Sequence, residues 1–160
     1  MQTNAEGAVQ DYARPESLDQ AVRLLAGGGW RVLAGGTDLY PGAGTRLAGR
    51  VLDVTGLPGL CGISQGPGLR IGAATTWAEI AASGLPPACR ALQQAAQVVG
   101  GRQVQNAGTI GGNLCNASPA ADGVPPLLAL GAEVEMLGPS GLRRLPLAGS
   151  YFFRFHTAGM

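Results

Sequence analysis

The chain has 160 residues, a formal net charge of +1, 46% hydrophobic residues and only 13% charged ones. This length fits one domain or a compact pair of lobes, with ample apolar material for a core. The near-neutral balance excludes the electrostatic footprint of a nucleic-acid or membrane-surface binder, and no apolar run approaches the ~18 residues of a membrane span, so no membrane insertion is expected. The charged share lies well below the ~25% usual for soluble domains, which leaves a sparsely charged surface of the kind partner subunits cover.

In chain order, the first ten residues are polar and small and lack the basic-then-apolar build of a signal peptide. Ser17-Leu18-Asp19-Gln20 has capping-box spacing, and Leu18, Ala21, Val22, Leu24 and Leu25 then recur at helical intervals until Gly27-Gly28-Gly29 stops them. Trp30–Leu33 and residues 51–54 read as strands, with turn material at 41–44 and a short helix end or loop at Thr45-Arg46-Leu47 between them. This is a small β-α-β lobe. Leu57-Pro58-Gly59-Leu60 is a connector and residues 69–73 alternate as a strand. Thr76 caps a short helix from Trp77, and Pro86-Pro87 opens a longer one over 87–99 with Leu92, Ala95, Ala96 and Val99 as its stripe. After residue 122, 123–130 reads as a helix and 132–136 with 142–145 as a hairpin around Gly138-Pro139-Ser140-Gly141. Cys61, Cys89 and Cys115 are odd in number and lack C-x-x-C spacing, which points to isolated reduced thiols in a cytoplasmic protein rather than to disulfides, zinc or iron–sulfur ligation.

Two glycine stretches stand out. Residues 106–122 read Asn-Ala-Gly-Thr-Ile-Gly-Gly-Asn-Leu-Cys-Asn-Ala-Ser-Pro-Ala-Ala-Asp. Bare backbone at Gly108, Gly111 and Gly112 lets a ligand approach, and exposed N–H groups in such a turn suit an anion. Thr109, Asn113, Asn116 and Ser118 add side-chain donors, and Asp122 is an acceptor suited to a sugar hydroxyl. The same composition also serves an ordinary connector loop. About seventy positions earlier, Leu33-Ala34-Gly35-Gly36-Thr37-Asp38-Leu39 follows a strand with a second bare turn, at the strand's carboxyl end where open α/β sheets bind ligands. Two such turns suit one diphosphate held from both sides, although neither matches a known phosphate-loop consensus.

These motifs resemble the FAD-binding subunit of the molybdenum hydroxylases, the xanthine dehydrogenase and carbon monoxide dehydrogenase family. Ala34 to Leu39 matches its A-G-G-T-D-L, Thr109 to Asn113 its T-I-G-G-N, and Ser118 to Asp122 its S-P-x-x-D. The likeness runs from about Tyr12 to about Phe153. It implies an α+β, two-lobed FAD-binding domain of the vanillyl-alcohol oxidase (PCMH) type, with a small β-α-β lobe at 1–55 and a larger mixed α+β lobe at 56–160. It implies FAD contacts along Val32, Leu33, Ala34, Gly35, Gly36, Thr37, Asp38 and Leu39, and at Thr109, Ile110, Gly111, Gly112, Asn113, Asn116, Ser118 and Asp122. The backbone around Gly35, Gly36, Gly111 and Gly112 forms the phosphate cradle. Thr37 and Thr109 donate to the diphosphate, Asp122 and Asp38 accept from ribityl or ribose hydroxyls, and Asn113 and Asn116 orient loop or ligand.

By the same resemblance, a molybdenum-pterin cofactor sits on a large partner subunit and 2Fe-2S clusters on a small one. Electrons reach FAD here and pass to NAD+ or another acceptor. The chain shows no nucleophile or acid–base pair, and a structural role is expected for its single histidine, His156. Family members continue from a Phe-Phe-x-Gly-Tyr-Arg segment into a C-terminal domain. Here Phe152-Phe153 is followed by Arg154-Phe155-His156 and the chain stops at Met160, so that domain is expected to be absent. The alternative is therefore a truncated, non-catalytic assembly module with weak or no flavin binding. A generic nucleotide-binding domain is a third reading.

Overall fold

The structure is a computed structural model that describes residues 9–42 and 49–150. The expectations for Met1 to Ala8, for Thr45-Arg46-Leu47 and for the aromatic tail with His156 lie outside the described residues.

The first part of the chain runs β1 (Val9–Ala13), α1 (Leu18–Ala26), β2 (Trp30–Leu33), α2 (Leu39–Gly42), β3 (Gly49–Asp53). Its three strands form a parallel sheet in the order β1-β3-β2, so β3 is the central strand. Parallel strands need a crossover, and α1 carries the chain from β1 past the central position to β2. Ser17 caps α1 by accepting from the Gln20 N–H. The reciprocal arm of the expected box is shifted by one residue, because Gln20 Oε1 accepts from the Glu16 N–H. Gly28 and Gly29, at φ +71° and +73°, turn the chain into β2 through a conformation that side chains disfavour. Ala21 of α1 packs with Leu52, Val54 and Leu57 into a first apolar cluster, joined by the half-buried Leu18, Leu24, Trp30 and Leu60.

The second part pairs β4 (Ile63–Gln65) with β5 (Leu69–Ile71), then runs α3 (Trp77–Ala82), a 3-10 turn at Pro87–Cys89, α4 (Arg90–Val98), α5 (Arg102–Ala107), α6 (Ile110–Asn116) and α7 (Val124–Ala129). It ends in the hairpin β6 (Glu133–Gly138) and β7 (Gly141–Pro146), followed by α8 (Leu147–Ser150). A second apolar cluster joins Trp77, Ile80, Leu92, Ala96, Val99, Ile110, Leu127 and Leu147. The class is α+β, as expected. Glu135 of β6 accepts from both Arg70 of β5 and Arg144 of β7, which ties the two small antiparallel sheets together.

Three readings change. Pro41 and Gly42 belong to α2 rather than to a turn. The strands β1 and β4, each short and without clear alternation, were not foreseen, because each is extended through pairing with β3 or β5 rather than through its own pattern. Most important, much of the stretch 106–122 is helical, within α5 and α6, and not a loop.

Candidate cofactor cleft

The first glycine turn grows out of the sheet. The Val54 N–H donates to the Leu33 carbonyl, so β2 and β3 close together and Ala34-Gly35 leaves from their carboxyl ends. Gly36 lies at φ +70°, and a Cβ there would sit 2.3 Å from the Tyr40 ring. A Cβ on Gly35 would lie 1.9 Å from the Ala107 carbonyl oxygen and 2.8 Å from Gly108 Cα. The two glycine stretches, far apart in sequence, therefore touch backbone to backbone, and Thr37 Oγ1 lies against Gly108. Among the described residues, the backbone N–H groups of Gly35, Gly36, Thr37 and Asp38 have no protein acceptor. Such a run of unpaired N–H groups is an anion-binding arrangement.

The second stretch is built differently. Gly108 ends α5, and its carbonyl accepts from the Trp77 N–H. Thr109 bridges Thr76 and caps α6, its hydroxyl accepting from the Gly112 N–H at 3.1 Å. The Gly111 N–H donates to the Ala73 carbonyl at 2.8 Å, and the Asn113 N–H to the Thr109 carbonyl. A Cβ on Gly111 would lie 2.6 Å from that same Ala73 oxygen. Gly111 lets α6 press against Ala73, and the N–H groups of Gly111 and Gly112 are already satisfied, contrary to the expected bare cradle there. Thr109 keeps what they lack: its own N–H has no protein acceptor among the described residues, and its hydroxyl hydrogen remains available.

Trp77, only 1% exposed, spans the whole stretch, with its ring beside Gly108 at one edge and Gly123 at the other. The sequence reading treated it only as a helix start. The signal was present, because the Thr76–Glu79 box fixes Trp77 at the first position of α3. The Asn113 Oδ1 is buried near Gly123 and has no hydrogen-bond partner among the described residues. Ile110 is a member of the core, Leu33 is also buried, and Val32 is exposed at the sheet.

Between the two stretches lies a cleft of about 520 Å³ lined by Ala34, Gly35, Thr55, Cys61, Ala74, Thr76, Glu79, Asn106, Ala107 and Thr109. Of the sequence-derived site residues, only Ala34, Gly35 and Thr109 are on its wall. Asn116, Ser118 and Asp122 are not; they follow or end α6, where the left-handed Ala117 (φ 49°) stops the helix. Among the described residues that line it there is no arginine, and the carboxylate of Glu79 accepts from the Thr76 N–H and hydroxyl.

The wall residues Thr55 and Cys61 were missed because nothing local marks them. Thr55 is held by Asp53, whose side chain also accepts from the Tyr12 hydroxyl. Burial alone would raise the Asp53 pKa, but the hydrogen bonds from Thr55 and Tyr12 outweigh it and hold the carboxyl below its ordinary range. The same bond pushes the Tyr12 phenol up. Cys61 donates to the Thr55 carbonyl. Cys115 is off the cleft wall, and desolvation of its thiol raises its pKa.

The family profile "FAD binding domain in molybdopterin dehydrogenase" matches residues 5–158. The chain belongs to this family of FAD-binding domains. It is 35% identical over 153 residues to the xanthine dehydrogenase FAD-binding subunit of Escherichia coli O157:H7, covering 91% of this chain and 50% of that one. It is 36% identical over 154 residues to the carbon monoxide dehydrogenase medium chain of Afipia carboxidovorans, covering 92% and 54%. In three dimensions it resembles a chain of the Cu,Mo-CO dehydrogenase in its cyanide-inactivated form, with a TM-score of 0.81, 32% identity and coverage of 89% of this chain and 51% of that one. The FAD-binding domain thus spans about half the length of the curated relatives it matches. Its unpaired N–H groups at Gly35 to Asp38 and at Thr109 fit the phosphates of FAD, a fit that rests on the donor set itself.

Proposed function

We propose that this domain is the FAD-holding part of an electron-transfer subunit in a molybdenum-containing hydroxylase or dehydrogenase. The observation that carries the reading is the contact of Gly35 with Ala107 and Gly108, which brings the first turn, with its unpaired N–H groups, against the second stretch at a cleft whose wall holds Gly35 and Thr109. Gly35, Gly36, Thr37 and Asp38 donate to the diphosphate through their backbone, and Thr109 through its N–H and hydroxyl. The exposed carboxylates of Asp38 and Asp122, without hydrogen-bond partners among the described residues, accept from sugar hydroxyls. Gly111 and Gly112 act indirectly, by seating α6 so that Thr109 faces the cleft. Asn113, Asn116 and Ser118 orient that corner.

FAD, when bound, supplies the redox chemistry, and the protein supplies position and electrostatics. The relatives' names, a FAD-binding subunit and a medium chain of dehydrogenases, support a place in a multi-subunit complex; in this reading its partners are a molybdenum-cofactor large subunit and an iron–sulfur small subunit, and NAD+ or another acceptor takes the electrons. The three cysteines are free, and among the described residues no helix is long and apolar enough to cross a membrane; both accord with a cytoplasmic setting.

The test is titration of the purified, folded chain with FAD, followed by its visible spectrum. Retention of about one FAD per chain is expected. A folded chain that excludes FAD yet co-purifies with a molybdenum-containing subunit overturns the reading in favour of an assembly module.

A further inference from the structure

The cleft wall also carries Thr55, just past the end of the strand beside the first glycine turn, to which nothing above gives a role toward the ligand. A threonine hydroxyl has one hydrogen and two acceptor lone pairs. Here the hydrogen is committed, because Thr55 Oγ1 donates to Asp53 Oδ1 at 2.6 Å while the Thr55 N–H donates to the same oxygen at 2.9 Å. The other Asp53 oxygen accepts from Tyr12, so the carboxylate is held from two elements and cannot swing away. Asp53 is 8% exposed and ends the central strand, whose register places it beside Leu33 at the root of the glycine turn. An ionised carboxylate is an acceptor only, so Thr55 cannot turn its hydrogen toward the cleft. Thr76 on the same wall differs: its hydroxyl both donates to Glu79 and accepts from the Glu79 N–H, leaving it little capacity.

We infer that Thr55, oriented by Asp53, is a ligand-binding residue whose hydroxyl oxygen accepts a hydrogen bond from a hydroxyl or N–H group of the bound flavin nucleotide. The cleft then offers N–H donors for phosphate and, at Thr55, an acceptor for the polyol, sugar or ring N–H. Asp53 is the positioning residue. The inference rests on the proposed FAD role and names a contact that neither glycine motif contains.

The experiment is FAD titration of the full chain and its variants, with circular dichroism and melting of the ligand-free proteins as folding controls. Thr55→Val, which keeps shape but removes the oxygen, is expected to weaken FAD binding about five- to tenfold, and Thr55→Ala likewise. Thr55→Ser should bind within about twofold of the unaltered chain. Asp53→Ala should weaken binding, and adding it to Thr55→Val should cause little further loss, since it acts through Thr55. Parallel titrations with FMN and ADP locate the donor: a Thr55→Val loss shared by FMN places it on the ribityl or ring side, and one shared by ADP on the ribose. Thr55→Val binding FAD as tightly as the unaltered chain overturns the inference alone. An unaltered, folded chain that binds no FAD overturns the underlying function as well, so the two failures are distinct.

Discussion

Gly35 decides the most at the residue scale. Ala34-Gly35-Gly36 announces a tight turn in the sequence, yet only the structure shows that the missing Cβ of Gly35 is the space taken by the Ala107 carbonyl. Gly35→Ala is therefore expected to cost about 1–3 kcal/mol of stability and to open the contact between the two stretches. Gly42→Ala, where a Cβ meets nothing within 4 Å, is the control and should melt nearly unchanged. Asp53 makes a second prediction. Its folded pKa lies below its unfolded value, so its contribution is complete above the ordinary carboxylate value of about 3.9 and is lost as pH falls through the lower folded value. Melting temperature measured from pH 6 down to pH 2 should fall more steeply for the unaltered chain than for Asp53→Asn. Parallel curves would show that Asp53 carries no such linkage.

At the scale of elements, the helices with strong local signals were legible: α1 from Ser17 and the glycine stop, α3 from the Thr76–Glu79 box, α4 from its prolines and apolar stripe. Thr76→Ala removes the cap of α3 and its hydroxyl contact to Glu79, and thermal unfolding should show a loss of about 1 kcal/mol. Leu92, fully buried on α4, should cost about 2–5 kcal/mol as Leu92→Ala, whereas Val98→Ala on the same helix, 69% exposed, should stay within about 0.5 kcal/mol. In contrast, α5 and α6 were read as loop, α6 because its glycines and asparagines have poor intrinsic helix propensity. That helix forms because Thr109 caps it, the Ala73 and Thr75 carbonyls accept the first N–H groups of its opening turn, and Ile110 anchors that turn in the core.

For the whole molecule, the buried apolar residues gather mainly in two clusters, one around Leu52 with Leu57 and Leu60, the other around Trp77 and Leu92. The cleft draws its wall from both parts, Ala34, Gly35 and Thr55 on one side and Thr76, Asn106 and Thr109 on the other. A ligand held between them should stabilise the fold as a unit: FAD at a hundredfold over its dissociation constant is expected to add about 2.7 kcal/mol, seen as one cooperative shift in calorimetry. Separate, unequal shifts of two transitions would show that the ligand engages one lobe alone.

The sequence by itself determined the α+β class, the family and the strands flanking the first glycine turn. These rest on local chemistry: caps, periodicity and residues where only glycine fits. Tertiary structure alone decided which N–H groups stay free, that Gly111 serves packing against Ala73, and that Thr55, Glu79 and Cys61 are on the wall. Hydrogen-bond satisfaction is a property of the folded whole, since a backbone donor is available to a ligand only if no distant carbonyl, such as that of Ala73, has already taken it.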